Sequence, residues 1–96
     1  MLEKDIQKKI LNFINAQPGC YAIKITAGMY QKSGISDILA CVKGRFVAIE
    51  VKRPGEKPTP LQEAFLAKVI CTGGRAFAAT ALDDVKARMG DMFCSL

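Results

Sequence analysis

The stretch from Ser36 to Gln62 constrains the fold of this chain more than any other part, because its pattern predicts a β-hairpin with a countable register. Two apolar, strand-like segments flank Lys43-Gly44. Gly provides the positive φ that a two-residue hairpin turn needs, so we place the turn at these two residues. The turn sets Val42 opposite Arg45, and every further pair follows by counting away from it.

Counting along this hairpin brings charged side chains together on one face. Asp37 lies opposite Glu50, and strand alternation adds Lys52 to the face of Glu50. Carboxylates at directly opposed positions have Cβ atoms about 5 Å apart and repel each other, so we expect a cation between them. Mg²⁺ or Mn²⁺ is the natural candidate, because such ions bind carboxylate oxygens and leave other positions to water and phosphate.

Away from this charged end, both faces of the hairpin are apolar. One face carries Ile38, Ala40, Val42, Val47, Ile49 and Val51, and the other carries Leu39, Cys41, Phe46 and Ala48. We therefore expect both faces to be covered in a layered α/β domain, with the charged cluster at one rim of the sheet.

Apolar periodicity and Gly or Pro punctuation predict the rest of the chain to contain three helices and two more strands. The helices are expected from Leu2 to about Ala16, from Pro60 to about Thr72 and from Asp83-Asp84 onward, and the strands from Tyr21 to Thr26 and from Arg75 to Thr80. The last helix has Val85, Met89, Met92 and Phe93 on its apolar side. The predicted order is αβββαβα, in a single domain over residues 1–96.

These residues together resemble the PD-(D/E)xK nuclease superfamily and, within it, the VRR-NUC branch. The matching positions are Asp37, Glu50-Val51-Lys52, Gln62, Gly34 and, on the first helix, Glu3-x-x-x-Gln7. The chain departs from the family at Ser36, where the family usually has Pro before the Asp. The resemblance covers nearly the whole chain and implies a restriction-endonuclease-like core, a mixed four-stranded sheet with helices on both faces.

The resemblance implies a metal-dependent DNA endonuclease that hydrolyses phosphodiester bonds with one or two Mg²⁺ or Mn²⁺ ions. It assigns Asp37, Glu50, Lys52 and Gln62 to catalysis, and Glu3, Asp37, Glu50 and the carbonyl of Val51 to the metal. In this interpretation Lys52 lies beside the attacking water and the phosphate.

Three of these residues have simpler explanations that the sequence leaves open. Gln62 closes a capping box with Thr59, in which Pro60 opens the helix. Glu3 is placed to complement the positive end of the helix dipole. Lys52 is placed to form a salt bridge with Glu50.

A net charge of +5, from fourteen basic and nine acidic residues, suits a partner with a phosphate backbone. The same charge also fits an ordinary lysine-rich surface. If the partner is DNA, branched or duplex, the candidate contacts are Lys24, Tyr30, Lys32, Ser33, Arg53 and Lys57.

Several classes of chemistry and location are disfavoured. The chain has no His, which excludes Ser-His and Cys-His catalysis, and its four cysteines are too widely spaced for a zinc site. Three of the four lie in apolar contexts, so we interpret them as core residues in a reducing compartment. With no apolar run near the roughly 20 residues of a membrane span and no signal-peptide pattern, we expect a cytoplasmic protein, in a bacterium or a phage-infected host, without membrane contact.

Stand-alone VRR-NUC proteins of this size resemble phage and prophage Holliday-junction resolvases, which implies a homodimer. The C-terminal helix, with Met89, Met92, Phe93 and Leu96, is our first candidate for the dimer contact. A helicase or another replication or recombination protein is a further partner compatible with the resemblance. The main alternative is a nucleic-acid-binding subunit with the same fold and little catalysis, and an α/β protein-interaction domain is the third reading.

Overall fold

The computed structural model describes residues 2–26 and 34–93. Its helices and strands follow the predicted order αβββαβα. The helices are α1 (Glu3–Asn15), α2 (Pro60–Cys71) and α3 (Leu82–Phe93), and the strands are β1 (Cys20–Lys24), β2 (Ile38–Val42), β3 (Arg45–Val51) and β4 (Arg75–Ala79). No helix among these described residues is both long and apolar enough to cross a membrane.

The strands form one mixed sheet in the order β1-β2-β3-β4. The pairs β1/β2 and β2/β3 are antiparallel, whereas β3 and β4 are parallel. A parallel pair needs a crossover connection, which α2 provides. The predicted α/β fold class, with its mixed four-stranded sheet, is confirmed.

The hairpin between β2 and β3 has the register that counting predicted. Lys43 and Gly44 both have positive φ, 52° and 85°, as a type I′ turn requires. Val42 pairs with Arg45, and the ladder continues to Ile38 opposite Ile49. The two-residue turn thus fixes which side chains share a face at the far end of the hairpin.

The edges of the other elements differ slightly from the predicted ones. β1 runs from Cys20 to Lys24 rather than from Tyr21 to Thr26. It ends early because its partner β2 begins only at Ile38, which pairs with Lys24. Beyond that pair a single hydrogen bond, from the N–H of Ile25 to the carbonyl of Asp37 at 2.7 Å, joins the two segments.

The main core lies between one face of the sheet and the helices α1 and α3. Its fully buried members include Ile10, Ile14, Ile38, Ile49 and Met89. The helix α2 packs on the opposite face and contacts β3 and β4. There a smaller cluster forms from Ala48, Leu66, Val69 and Ala76, with Leu39 and Phe65 partly buried against it.

We expected both faces of the hairpin to be covered. This is wrong for the face on which α2 packs, at the end near the turn. Phe46 is 47% exposed, and Cys41 beside it is also exposed. The reason is geometric, because a helix about 10 Å wide covers roughly two strands spaced about 4.8 Å apart. α2 contacts β4 and β3, where Ala48 is fully buried, and leaves open the corresponding face of β1 and the turn end of the hairpin, where Cys41 and Phe46 lie.

Two further sequence interpretations are corrected by burial. Cys41 and Cys71 are exposed and Cys20 is only partly buried, so these three are not core residues; Cys94 lies outside the described residues. On α3, Met89 is fully buried, and Met92 and Phe93 pack against the main core. Met89 is therefore not available for the dimer contact suggested above. Leu96 lies outside the described residues, and a contact through α3 stays a prediction.

Candidate metal and nucleic-acid site

Asp37 lies immediately before β2, where the hairpin ladder ends. Its Oδ2 accepts a hydrogen bond from the N–H of Val51 at 2.9 Å. In a longer hairpin, that N–H would pair with the backbone of Ser36, but β2 begins only at Ile38. The Asp37 carboxylate therefore completes the ladder with one oxygen, and main-chain geometry fixes its position.

Glu50 faces Asp37 from β3 and is only 1% exposed. One of its carboxylate oxygens, Oε2, is buried without a hydrogen-bond partner. The other oxygen, Oε1, lies 3.9 Å from Nζ of Lys52. That distance is an ion pair but not a hydrogen bond, so the ammonium group is close to the carboxylate without being fixed to it.

The surroundings of Glu50 oppose its ionisation. Burial, followed by the nearby charge of Asp37, raises the pKa of Glu50 to about 8, although Lys52 acts in the opposite direction. Without a further cation, Glu50 is therefore mostly protonated at pH 7. A divalent cation between the two carboxyl groups would favour the ionised form and reverse this effect.

The donor atoms at this end of the hairpin fit a hard divalent cation. Two carboxylates supply oxygen, the ligand type that Mg²⁺ and Mn²⁺ prefer, and Oε2 of Glu50 is buried with no protein partner. The hydroxyl of Ser36, next to Asp37, is also buried and unpaired. An ion that keeps several water or phosphate ligands needs only one or two protein carboxylates.

The structure does not bring Glu3 into this cluster. Within residues 2–26 and 34–93, no three acidic or thiol side chains converge in a group that could hold a metal ion. Glu3 instead lies within electrostatic range of Arg53, where Glu56 chiefly and Glu3 to a smaller extent raise the pKa of the guanidinium. The assignment of Glu3 to the metal stays a prediction, as does that of the Val51 carbonyl.

Gln62 forms the capping box at the start of α2. Its Oε1 accepts the N–H of Thr59 at 2.9 Å, and Oγ1 of Thr59 accepts the N–H of Gln62 at 3.3 Å. This is the structural alternative that the sequence left open. The amide oxygen of Gln62 is occupied by the cap, so a catalytic role for this side chain stays a prediction.

Gly34 lies in the segment that leads to Asp37 and packs closely against the first turn of α2. Its φ is +85°, and a Cβ built there would lie 2.5 Å from the carbonyl oxygen of Leu61. Any larger residue would push the two segments apart. The close approach explains why this position needs Gly, and it places the start of α2 beside the chain leading to the carboxylate cluster.

The predicted DNA contacts fall into two groups. Lys24, Arg53 and Lys57 are exposed, at the end of β1 and in the loop after β3. Of these, Arg53 donates hydrogen bonds from Nε and Nη2 to the Glu56 carboxylate, each at 3.3 Å, which closes the loop locally. Tyr30, Lys32 and Ser33 lie outside the described residues.

Among the comparisons with known proteins, only that with solved structures finds similar proteins. No protein-family model matches the sequence, and no curated protein matches it either. Solved structures are similar in three dimensions, and two of them match nearly the whole chain. One, described as a VRR_NUC domain protein, has a TM-score of 0.76 and 21% identity over 94% of this chain and 86% of its own. The other, described as a VRR_NUC domain, has a TM-score of 0.76 and 22% identity over 96% of this chain and 97% of its own.

These similarities extend over nearly the whole chain at low sequence identity. They show that the backbone follows a similar path in these proteins over nearly the whole chain, in which the hairpin carries Asp37 and Glu50. This chain has the fold of VRR_NUC domain proteins.

Proposed function

We propose that this protein is a divalent-metal-dependent DNA endonuclease that acts on branched DNA in the cytoplasm of a bacterium or a phage-infected host. The observation that supports this most is the buried Glu50 carboxyl group facing Asp37, with one oxygen unpaired. A protein that only bound nucleic acid would gain nothing from two facing carboxyl groups, of which Glu50 is buried and has a raised pKa. A metal-dependent nuclease needs such a pair to hold its cation.

Each residue of the cluster has a separate task in this proposal. Asp37 offers its Oδ1 to the cation while Val51 holds Oδ2 in place. Glu50 offers Oε2 from the buried side. A bound Mg²⁺ or Mn²⁺ would lower the pKa of a water nucleophile and neutralise the charge that develops on the phosphate.

Lys52 is the cation that the protein itself supplies to the phosphate. Its side chain is 15% exposed, so it is shielded from bulk water yet still reaches the surface. The 3.9 Å separation from Glu50 leaves its three N–H donors available to a phosphate oxygen or to the attacking water. Held there, the ammonium group stabilises negative charge that grows in the transition state.

The proposed substrate and assembly rest on the resemblance to stand-alone VRR-NUC proteins. The described residues carry one facing pair of carboxyl groups, Asp37 and Glu50, whereas a four-way junction requires two symmetric cuts. A homodimer supplies two clusters related by a two-fold axis. Lys24, Lys57 and the side chains of Tyr30, Lys32 and Ser33 are the proposed contacts to the DNA, and Arg53 would join them by leaving Glu56.

A panel of end-labelled four-way junction, flap, duplex and single-stranded DNA with Mg²⁺ or Mn²⁺ tests this proposal. We expect paired, symmetric cuts near the branch point of the junction and little cleavage of the plain duplex. Asp37→Asn serves as the matched control, because it removes the charge without changing the size of the side chain. Binding to every substrate with no cleavage of any would instead identify a nucleic-acid-binding subunit.

A further inference from the structure

We propose that two copies of this chain associate through the part of the sheet that α2 leaves open. This surface, the open sheet face, consists of Tyr21, Ile23, Leu39, Cys41 and Phe46. The inference deepens the homodimer of the proposed function by naming its contact, and it replaces the C-terminal helix considered from the sequence.

The open sheet face is unusual for a solvent-exposed surface. Antiparallel strands with one face in water normally carry polar residues there. Here Tyr21 is 69% exposed, Ile23 42% and Phe46 47%. The side chains line a shallow groove of about 250 Å³ to which no charged residue contributes. Clustered exposed apolar groups of this kind mark a contact surface.

Pairing through the edge of the sheet is blocked on the β1 side. The side-chain amide of Asn15 donates to the carbonyl of Ala22 at 3.1 Å, and its oxygen accepts the N–H of Ala22 at 2.8 Å. The N–H of Cys20 is bound by the carbonyl of Gln17 at 3.3 Å. The outward N–H of Cys20 and both outward backbone groups of Ala22 are thus already bonded within the chain, which protects this part of the edge against strand addition. A partner on this side of the molecule must dock on the face.

The charge distribution favours a second copy over nucleic acid. A surface that stacks bases needs cations nearby to neutralise phosphates, and the lining of the open sheet face has none. The two nearest cations of the hairpin turn are engaged elsewhere: Nζ of Lys43 donates to the carbonyl of Phe93 at 3.1 Å, and Nε of Arg45 donates to that of Gly73 at 3.3 Å. Two molecules that each carry +5 repel least where they present uncharged surfaces.

The available area suits the centre of a dimer contact. At their exposures, the rings of Tyr21 and Phe46 each present on the order of 100 Å². A standard interface buries about 800 Å² per partner, so polar neighbours would have to form its rim. We therefore expect a dimer that forms at micromolar concentration rather than an obligate one.

This contact has a consequence for catalysis. Phe46 and Glu50 alternate onto the same face of β3, about 13 Å apart along the strand. In a dimer formed through the open sheet face, each carboxylate cluster would lie at that distance along the strand from the contact. That arrangement suits two cuts near one branch point.

The test uses DNA-free, metal-free protein, so that its outcome does not depend on nuclease activity. Sedimentation velocity should show dimers for the wild type at micromolar concentration and monomers for Tyr21→Gln/Phe46→Gln, with the same melting temperature. Ile70→Gln is the matched control, because Ile70 is 55% exposed on α2 outside the open sheet face, and this variant should remain dimeric. Thiol labelling provides a second measurement: Cys41, within the contact, should react more slowly than Cys71 in the wild type and at a similar rate in the double variant.

Two results would overturn the proposal. The first is a double variant that remains dimeric, and the second is a wild type that stays monomeric at these concentrations. In the second case, loss of DNA affinity in Tyr21→Gln/Phe46→Gln would identify the open sheet face as a base-stacking surface. A failure of the nuclease proposal would leave the sedimentation result unchanged.

Discussion

The Asp37 carboxylate accepts the backbone N–H of Val51 at 2.9 Å, so one acidic side chain both ends the β2–β3 ladder and borders the buried Glu50. Its structural and catalytic tasks can be separated by mutation. In Asp37→Asn, the amide oxygen can still accept the N–H, whereas the charge needed for a cation is lost. We expect Asp37→Asn to fold normally and to lose cleavage, while DNA binding is largely retained.

Asp37→Ala is the companion variant, since it removes the acceptor as well. Leaving the N–H of Val51 unpaired should lower the free energy of unfolding by about 1 to 3 kcal/mol relative to Asp37→Asn. Chemical denaturation of both variants in EDTA measures the difference. Equal stability of the two, or cleavage by Asp37→Asn, would contradict the roles assigned to this residue.

The metal-free protein should lose stability as the pH rises from about 5 to about 8. In the unfolded chain Glu50 ionises with the ordinary pKa of 4.5, whereas in the folded protein burial keeps it protonated up to about 8. Between these values the folded state binds more protons, so the free energy of unfolding falls by up to about 1.4 kcal/mol per pH unit. The chain has no His to titrate in this window. Thermal unfolding in EDTA as a function of pH measures the loss.

Glu50→Gln is the control for this pH dependence. It removes the ionisation but keeps the size of the side chain, so its stability should be nearly flat over the same range. Mn²⁺ should stabilise the wild type more at pH 8 than at pH 6, because binding requires the ionised carboxylate. A wild-type curve as flat as that of Glu50→Gln would refute the raised pKa.

Gln62 distinguishes a helix cap from a catalytic residue. Glu is equally suited to the capping box but adds charge beside the proposed metal site, so Gln62→Glu should keep the melting temperature and lower the rate if Gln62 takes part in catalysis. Thr59→Ala is the matched control, because it breaks the other half of the same cap and should cost about 1 kcal/mol without a direct effect on the rate. Full activity and unchanged stability in Gln62→Glu would leave only the cap.

The proposed DNA contacts should appear in the salt dependence of binding. Each lysine that neutralises a phosphate contributes about −0.9 to the slope of log K against log salt. Lys24→Gln and Lys57→Gln should therefore each reduce the slope by about one. Lys86→Gln is the control, because Nζ of Lys86 lies 5.4 Å from the ring centroid of Phe13 and Lys86 is not among the proposed contacts. Fluorescence anisotropy in EDTA measures DNA binding by the wild type and the three variants, and a slope that changes only in Lys86→Gln would contradict the proposed contacts.

The hairpin and its register could be predicted because a two-residue turn leaves no freedom in pairing. Positive φ at Lys43 and Gly44 fixes Val42 opposite Arg45, and the position of Asp37 relative to Glu50 follows by counting. The order of elements was predictable for a similar reason, since hydrophobic periodicity and Gly or Pro punctuation are local properties of the sequence.

The open sheet face could not be predicted, because apolar alternation does not tell whether a helix, a partner or water covers a strand. Phe46 and Ala48 share a face, yet only Ala48 lies under α2. Nor does a polar residue in the last turn of a helix signal that it will pair with a strand edge, as Asn15 does. The position of Glu3 on a helix likewise gives no distance to Asp37.

Cleavage of a labelled four-way junction by the wild type and by Lys52→Ala, each with Mn²⁺, with Mg²⁺ and with EDTA, tests the central claim most directly. Lys52 belongs to neither apolar cluster, so binding to the junction and the melting temperature should remain close to those of the wild type. The account predicts cleavage by the wild type with either metal, none in EDTA, and a loss of at least about a hundredfold in Lys52→Ala. Cleavage that persists in EDTA, or an unchanged rate in Lys52→Ala, would contradict it.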